Sequence, residues 1–130
     1  MKKRNLAVSS WLLVALLLAC GGPKTLVTYE GPRQTVDRVA ILTTSESAII
    51  TRIDNFGKKH IGITADSIEV LPGEHAVEVN YRSWKGSSNQ PVILTFNAEA
   101  GRVYRVEAEA GYRQWTAKII DISTGATVSR

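Results

Sequence analysis

Few side chains in this sequence could do chemistry, and their spacing narrows what that chemistry could be. Cys20 is the only cysteine, and it ends the apolar run Leu6 to Ala19. A lone thiol has no partner for a disulfide within the chain. Its place at the end of a charged-then-apolar leader marks it for processing more than for burial as a small hydrophobe. The two histidines, His60 and His75, stand fifteen apart with no helical H-x-x-x-H spacing, a poor metal site, so no metal and no cofactor is expected. His75 follows a Pro-Gly turn, where its imidazole should hydrogen-bond turn backbone. His60, beside Lys58 and Lys59, reads as a solvated surface residue.

Nucleophilic catalysis needs a serine on a strained turn and a histidine held by an acid. Ser87 and Ser88 lie in a polar loop with no G-x-S-x-G around them. Glu74, Glu107, Glu109 and Asp121 are the carboxylates that paired acid–base work on a glycoside would draw on. Glu107 and Glu109 are two apart, as is Arg105, and the simpler reading is one exposed strand face of alternating charge. Aromatic residues are the other candidates. Trp115 reads as a sandwich core anchor. Trp84 adjoins the loop Lys85 to Gln90 and is open to either a core or a surface reading. We expect no catalytic residues and a binding surface of Trp84, Lys85, Ser87 and Asn89, since loops on a rigid sandwich commonly carry function.

These residues need positioning, and the chain divides accordingly. Residues 1–19 open with Lys2, Lys3 and Arg4 before the apolar run, the layout of a secretory signal peptide. Fourteen helical residues would cover ~21 Å, short of the ~30 Å hydrocarbon core, which argues against an uncleaved transmembrane anchor. Removing the three leader cations leaves thirteen basic residues against twelve acidic ones. No block of like charge remains, so nucleic acid is not an expected partner. Residues 20–36, rich in Gly, Pro and polar side chains, read as a flexible tether with a coil reach of ~20–25 Å. Residues 37–130 suffice for one modest core.

That remainder has period two and no 3.6-residue pattern. Val39 to Leu42, Ala48 to Ile53, Ser67 to Leu71, His75 to Trp84, Pro91 to Ala98, Tyr104 to Glu109 and Trp115 to Ile122 read as strands, with a short final strand after Ser123-Thr124-Gly125. Val77, Val79 and Tyr81 share one face, opposite Glu78, Asn80 and Arg82. Val92, Leu94 and Phe96 group together, as do Tyr104, Val106 and Ala108. Phe56 to Ala65 could be a wide loop or a weak edge strand. Seven or eight strands at regular spacing, with no room for crossover helices, predict an all-β fold, an antiparallel β-sandwich or small barrel.

Two resemblances add to this reading. Leu17-Leu18-Ala19-Cys20 resembles the lipobox of bacterial lipoproteins, whose cysteine becomes the lipid-carrying first residue. Gly21 stands where aspartate marks inner-membrane retention in enteric lipoproteins, so the resemblance implies an outer-membrane protein facing the periplasm. Val70-Leu71-Pro72-Gly73-Glu74-His75-Ala76-Val77-Glu78-Val79-Asn80-Tyr81 resembles the core of PEGA-type β-sandwich modules, and Ile53-Asp54-Asn55 resembles their "I-D-G" strand end with Asn for Gly. Ala100 to Tyr104, Trp115 and Asp121 to Gly125 look like small Gram-negative lipoproteins of unassigned function. The resemblance implies an immunoglobulin-like or PEGA-like sandwich and carries no catalytic residues across.

The expectation is therefore a non-enzymatic envelope lipoprotein, a binding or assembly module anchored to membrane through lipid on Cys20, with an envelope protein or glycan as partner. The competing expectation is a hydrolase or glycan-processing accessory using Glu107, Glu109 or Asp121 in an exposed cleft.

Overall fold

The computed structural model describes residues 24–56, 65–84, 86–88 and 90–130. Cys20, His60, Lys85 and Asn89 lie outside the described residues, as does most of Phe56 to Ala65. Among the described residues the fold is all-β, with nine strands in two sheets and no helix.

One sheet has the order β1-β4-β2-β8-β9, built from Thr25–Val27 (β1), Ser67–Val70 (β4), Ala40–Thr44 (β2), Val103–Ala110 (β8) and Trp115–Asp121 (β9). In the other, Gly73–Ser83 (β5) lies between Ala48–Ile53 (β3) and Val92–Ala98 (β7), and its far end pairs with Gly86–Ser87 (β6). The chain changes sheet at four connections, β2–β3, β3–β4, β4–β5 and β7–β8. That alternation corrects the expectation of a purely antiparallel sandwich. β1 runs parallel to β4, and β2 runs parallel to β8. A strand that returns from the opposite sheet can be parallel to its neighbour without a helical crossover, because the intervening strands make the passage.

The expected faces form the core. Val77 and Val79 of β5, Leu94 and Phe96 of β7, and Tyr104 and Val106 of β8 are all buried. Phe96 and Tyr104 meet edge-to-face across the two sheets, with ring centroids 5.1 Å apart at 70°, an arrangement suited to aromatic quadrupoles. The Tyr104 hydroxyl is not left dry: it accepts the Glu99 N–H at 2.9 Å. In β3 the pairing register shifts between Ile50 and Arg52. A bulge at Thr51 adds one residue to the strand and returns Ile53 to the inner face, where strict alternation would have turned it outward.

Three connections differ from expectation. Gly86–Ser87, inside the expected loop Lys85 to Gln90, pairs with Arg82 and Ser83 as a short hairpin. The expected final strand is a single bridge between Ile120 and Thr127. The tail after that bridge joins the sheets. Val128 N–H donates to the Ile119 carbonyl at 2.9 Å, and Arg130 exchanges two backbone hydrogen bonds with Thr95 of β7.

The third difference is the expected tether over residues 20–36. From Lys24 onward the chain lies on the domain. β1 adds to the edge of β4, and the segment behind it folds over Glu69. Glu69 is 2% exposed, with its carboxylate receiving the Tyr29 hydroxyl at 3.2 Å and the Arg33 guanidinium at 3.1 and 3.3 Å. Composition predicts a coil there, but one buried carboxylate supplies a reason for the segment to dock.

Candidate functional site

At one end of the sandwich two hairpin turns come together. One joins β5 to β6 and carries Trp84. The other joins β8 to β9 through Gly111, Tyr112, Arg113 and Gln114. Between them is an open cavity of about 290 Å³. Its aromatic wall is Tyr81 of β5 and Trp115 of β9, one from each sheet, stacked with centroids 5.9 Å apart at 27°. Ser83, Ser87 and Ser88 line it on the β5–β6 side, and the Gln114 side on the other.

Strand register explains why these residues converge. Tyr81 continues the inward face of Val77 and Val79, and Trp115 continues that of Ile119 and Ala117. Both are half-buried and pack against the core, so their pair closes the sandwich end while lining the cavity. Ser88 ties the loop back to β5: its N–H donates to the Tyr81 carbonyl at 2.8 Å, and its Oγ accepts the Tyr81 N–H at 3.1 Å. The opposite turn is tight, with Gly111 N–H donating to the Gln114 carbonyl at 2.6 Å and Arg113 at a φ of 64°. Among the described residues, none of those lining this cavity is a carboxylate, a lysine or an arginine.

Trp84 is 91% exposed and Tyr112 86%. The open alternative for Trp84 is thus decided for the surface, while Trp115 packs on the core as expected. Arg113 stands over the Tyr112 ring, 5.2 Å from its centroid. Of the expected surface residues, Trp84 and Ser87 fall at this end. Tyr81, Gln114 and Trp115 complete the cavity, and sequence reasoning did not include them in the surface. Tyr81 and Trp115 were legible as aromatics at strand ends, but nothing local to either shows that they face each other.

Glu107 and Glu109 border a shared depression of about 200 Å³ with Thr116, Ala117 and Lys118, and Asp121 is not among the residues lining it. Glu107 and Glu109 lie on the outer face of β8, where Arg105 donates to Glu107 Oε1 at 2.8 and 3.0 Å. Asp121 is on the inner side of β9, buried and paired in register with Tyr104, whereas Glu109 is opposite Thr116. Five register steps separate them, ~17 Å along the strands. The Asp121 carboxylate accepts Arg102 Nη1 at 2.6 Å, and the Ser123 N–H and hydroxyl at 2.9 and 2.6 Å. The Ser123 hydrogen bonds, then the Arg102 charge, hold its carboxyl below the usual range. Asp121 therefore lies on the opposite sheet face from Glu107 and Glu109.

His75 is where an imidazole and a carboxylate meet. Its Nδ1 is 2.6 Å from Asp54 Oδ2, and its Nε2 is 2.5 Å from the Leu71 carbonyl. The turn-backbone contact expected of it is present. Asp54 Oδ1 also accepts the Ala76 N–H at 2.9 Å. The pair borders a depression of about 400 Å³ with Thr28, Phe56 and Leu71. Among the described residues lining it there is no serine or cysteine. The pair ties two turns together at the start of β5. Among the described residues, no cluster of three or more His, Cys, Asp or Glu is placed to hold a metal ion.

No protein family, curated protein or solved structure matches this chain.

Proposed function

We propose that this chain is a non-enzymatic envelope lipoprotein, anchored through lipid on Cys20 and facing the periplasm from the outer membrane. On this reading it is a binding or assembly module of immunoglobulin-like or PEGA-like form, with an envelope protein or glycan as its partner. The leader supports the anchoring half: Lys2, Lys3 and Arg4, an apolar run, then the chain's only cysteine. The recognition half rests on one observation. Trp84, a large amphipathic ring, stands 91% exposed at a sandwich end whose turns also border a cavity. Aromatic residues at such positions are the usual anchors of binding surfaces.

Docking of residues 24–34 against Glu69 would keep the domain close to its anchor, leaving the Trp84 turns as the accessible recognition end. The anchoring half is tested by fractionating cells that make the Cys20→Ser chain. A single myristoyl-length chain binds membranes only marginally, so firm attachment needs the several acyl chains of a processed lipoprotein. The substituted chain should leave the membrane fraction after a salt wash. Full retention, equal to that of the unsubstituted chain, would defeat the anchoring half.

A further inference from the structure

We infer that the cavity between the β5–β6 and β8–β9 turns binds a chain of linked pyranose sugars, one ring against the Tyr81–Trp115 pair. The inference rests on the recognition surface proposed above and assigns that surface a ligand class.

The argument begins with what the cavity lacks. Among the described residues its lining holds no carboxylate, lysine or arginine, so these residues offer no counter-charge for a phosphate, a carboxylate or an amine. Its chemistry is of two kinds. One wall is aromatic, the stacked pair at 5.9 Å and 27°. The rest is lined by neutral polar residues, Ser83, Ser87, Ser88 and Gln114, of which Ser88 Oγ already accepts the Tyr81 N–H at 3.1 Å and donates to Asn80 Oδ1 at 3.4 Å. A pyranose ring is divided in the same way. The axial C–H bonds on a ring face form an apolar patch that packs flat on an aromatic ring, and its hydroxyls radiate from the rim towards donors and acceptors. A mostly apolar concavity with a few placed polar groups is the general form of a small-ligand site, and about 290 Å³ lies near the lower limit of ~300 Å³ for such clefts.

The flanking turns argue for a chain of sugars over a single one. Trp84 and Tyr112 are the exposed aromatics of the two turns, at 91% and 86%, with Arg113 over the Tyr112 ring. Each offers a further ring face to a neighbouring sugar, and aromatic rings lose little conformational entropy on binding. A proline-rich peptide also docks on aromatic side chains, but through grooves between aromatic ridges and with few hydrogen bonds. Here one stacked pair is bordered by three serines and a glutamine, neutral polar residues that favour the polyhydroxylated ligand.

The test titrates the purified full-length protein with three probes, cellohexaose, the hexamer of β-1,4-linked N-acetylglucosamine, and decaproline, while following backbone amide shifts. At least one saccharide should move the amides of Tyr81, Ser87, Gln114 and Trp115 together, and decaproline should not. Gln114→Ala and Ser87→Ala, both at exposed positions, should each weaken saccharide binding about tenfold with an unchanged melt, the loss of one well-placed hydrogen bond. Shifts with decaproline alone would make the cavity a peptide site and overturn the inference. Saccharide binding that ignores both substitutions would overturn its location. No shift with any probe, while Trp84-dependent capture of a partner in cells persists, would reject the sugar and leave the recognition surface standing. Loss of both would remove the surface itself.

Discussion

Asp54 and His75 join two turns that are twenty-one residues apart, with His75 Nδ1 2.6 Å from Asp54 Oδ2. The other imidazole nitrogen meets the Leu71 carbonyl at 2.5 Å, so one ring links the Asp54–Asn55 turn to the Pro72–Gly73 turn. Gly73, at a φ of 123°, takes a backbone conformation that other residues rarely adopt, and β5 starts there. Asp54 itself has a φ of 52°, which its local hydrogen bonds to His75 and Ala76 offset. Asp54→Ala would keep the backbone strain and lose those bonds. A cost of about 1–3 kcal/mol is expected, read as a lower melting temperature. A melt within experimental error of the parent would show that the link contributes nothing to the fold.

Val79 and Glu78 are neighbours on opposite faces of β5. Val79 is 0% exposed, and Val79→Asp would place a carboxylate among apolar side chains of both sheets. With only ~5–10 kcal/mol to lose, the domain should unfold. Glu78 is not a plain solvent-facing residue: it pairs with Arg52 at 3.0 Å and accepts the Thr51 hydroxyl at 2.8 Å. Glu78→Lys should therefore lower stability by about 1 kcal/mol, a mild effect beside that of Val79→Asp. Equal melting temperatures for the two variants would contradict the register.

Asp121 sets an acid limit on the fold. Ser123 and Arg102 favour its ionised form, so its carboxyl in the folded protein lies below the ordinary value. The unfolded chain then binds a proton at a higher pH than the folded one. The resulting stability is fully present above the ordinary carboxylate range near ~3.9, and it is lost as pH falls through the lower folded value. Melts from pH 6 down should show a decline that begins near pH 4, and Asp121→Asn should flatten its own share of that decline. A steeper acid decline in Asp121→Asn than in the parent would contradict this origin.

Strand positions were readable because sheet faces write period two into the chain. Ala48 to Ile53 and Val92 to Ala98 are strands as expected, the first from its β-branched residues and the turn after it, the second from its alternation, all local signals. What escaped was non-local. Nothing near Thr25–Val27 shows that β4 will accept it as a parallel neighbour, and nothing near Glu69 shows that Tyr29 and Arg33 will cover it. The β5–β6 hairpin hides in a loop composition because its pairing takes only two residues on each side. At the candidate site, Trp84 was visible as a large ring beside a loop. Its exposure depends on the turn geometry of a hairpin the sequence does not advertise, and the Tyr81–Trp115 contact depends on how the two sheets meet.

The central claim is that the Trp84 end of the sandwich is where this protein binds its partner, and that Trp84 anchors that contact without holding the fold. The most direct measurement places a photo-crosslinking side chain at position 87, beside Trp84, in full-length protein made in cells. A control carries the same group at position 107, on the charged outer face of β8. The account predicts a discrete higher-mass adduct from position 87 and none from position 107. Adding Trp84→Ala should reduce the adduct about thirtyfold, the loss expected for an anchor worth ~2 kcal/mol. The melt should stay within ~0.5 kcal/mol of the parent, since the ring is 91% exposed. An adduct from position 87 that survives Trp84→Ala undiminished, or a melt that collapses with it, would contradict the claim.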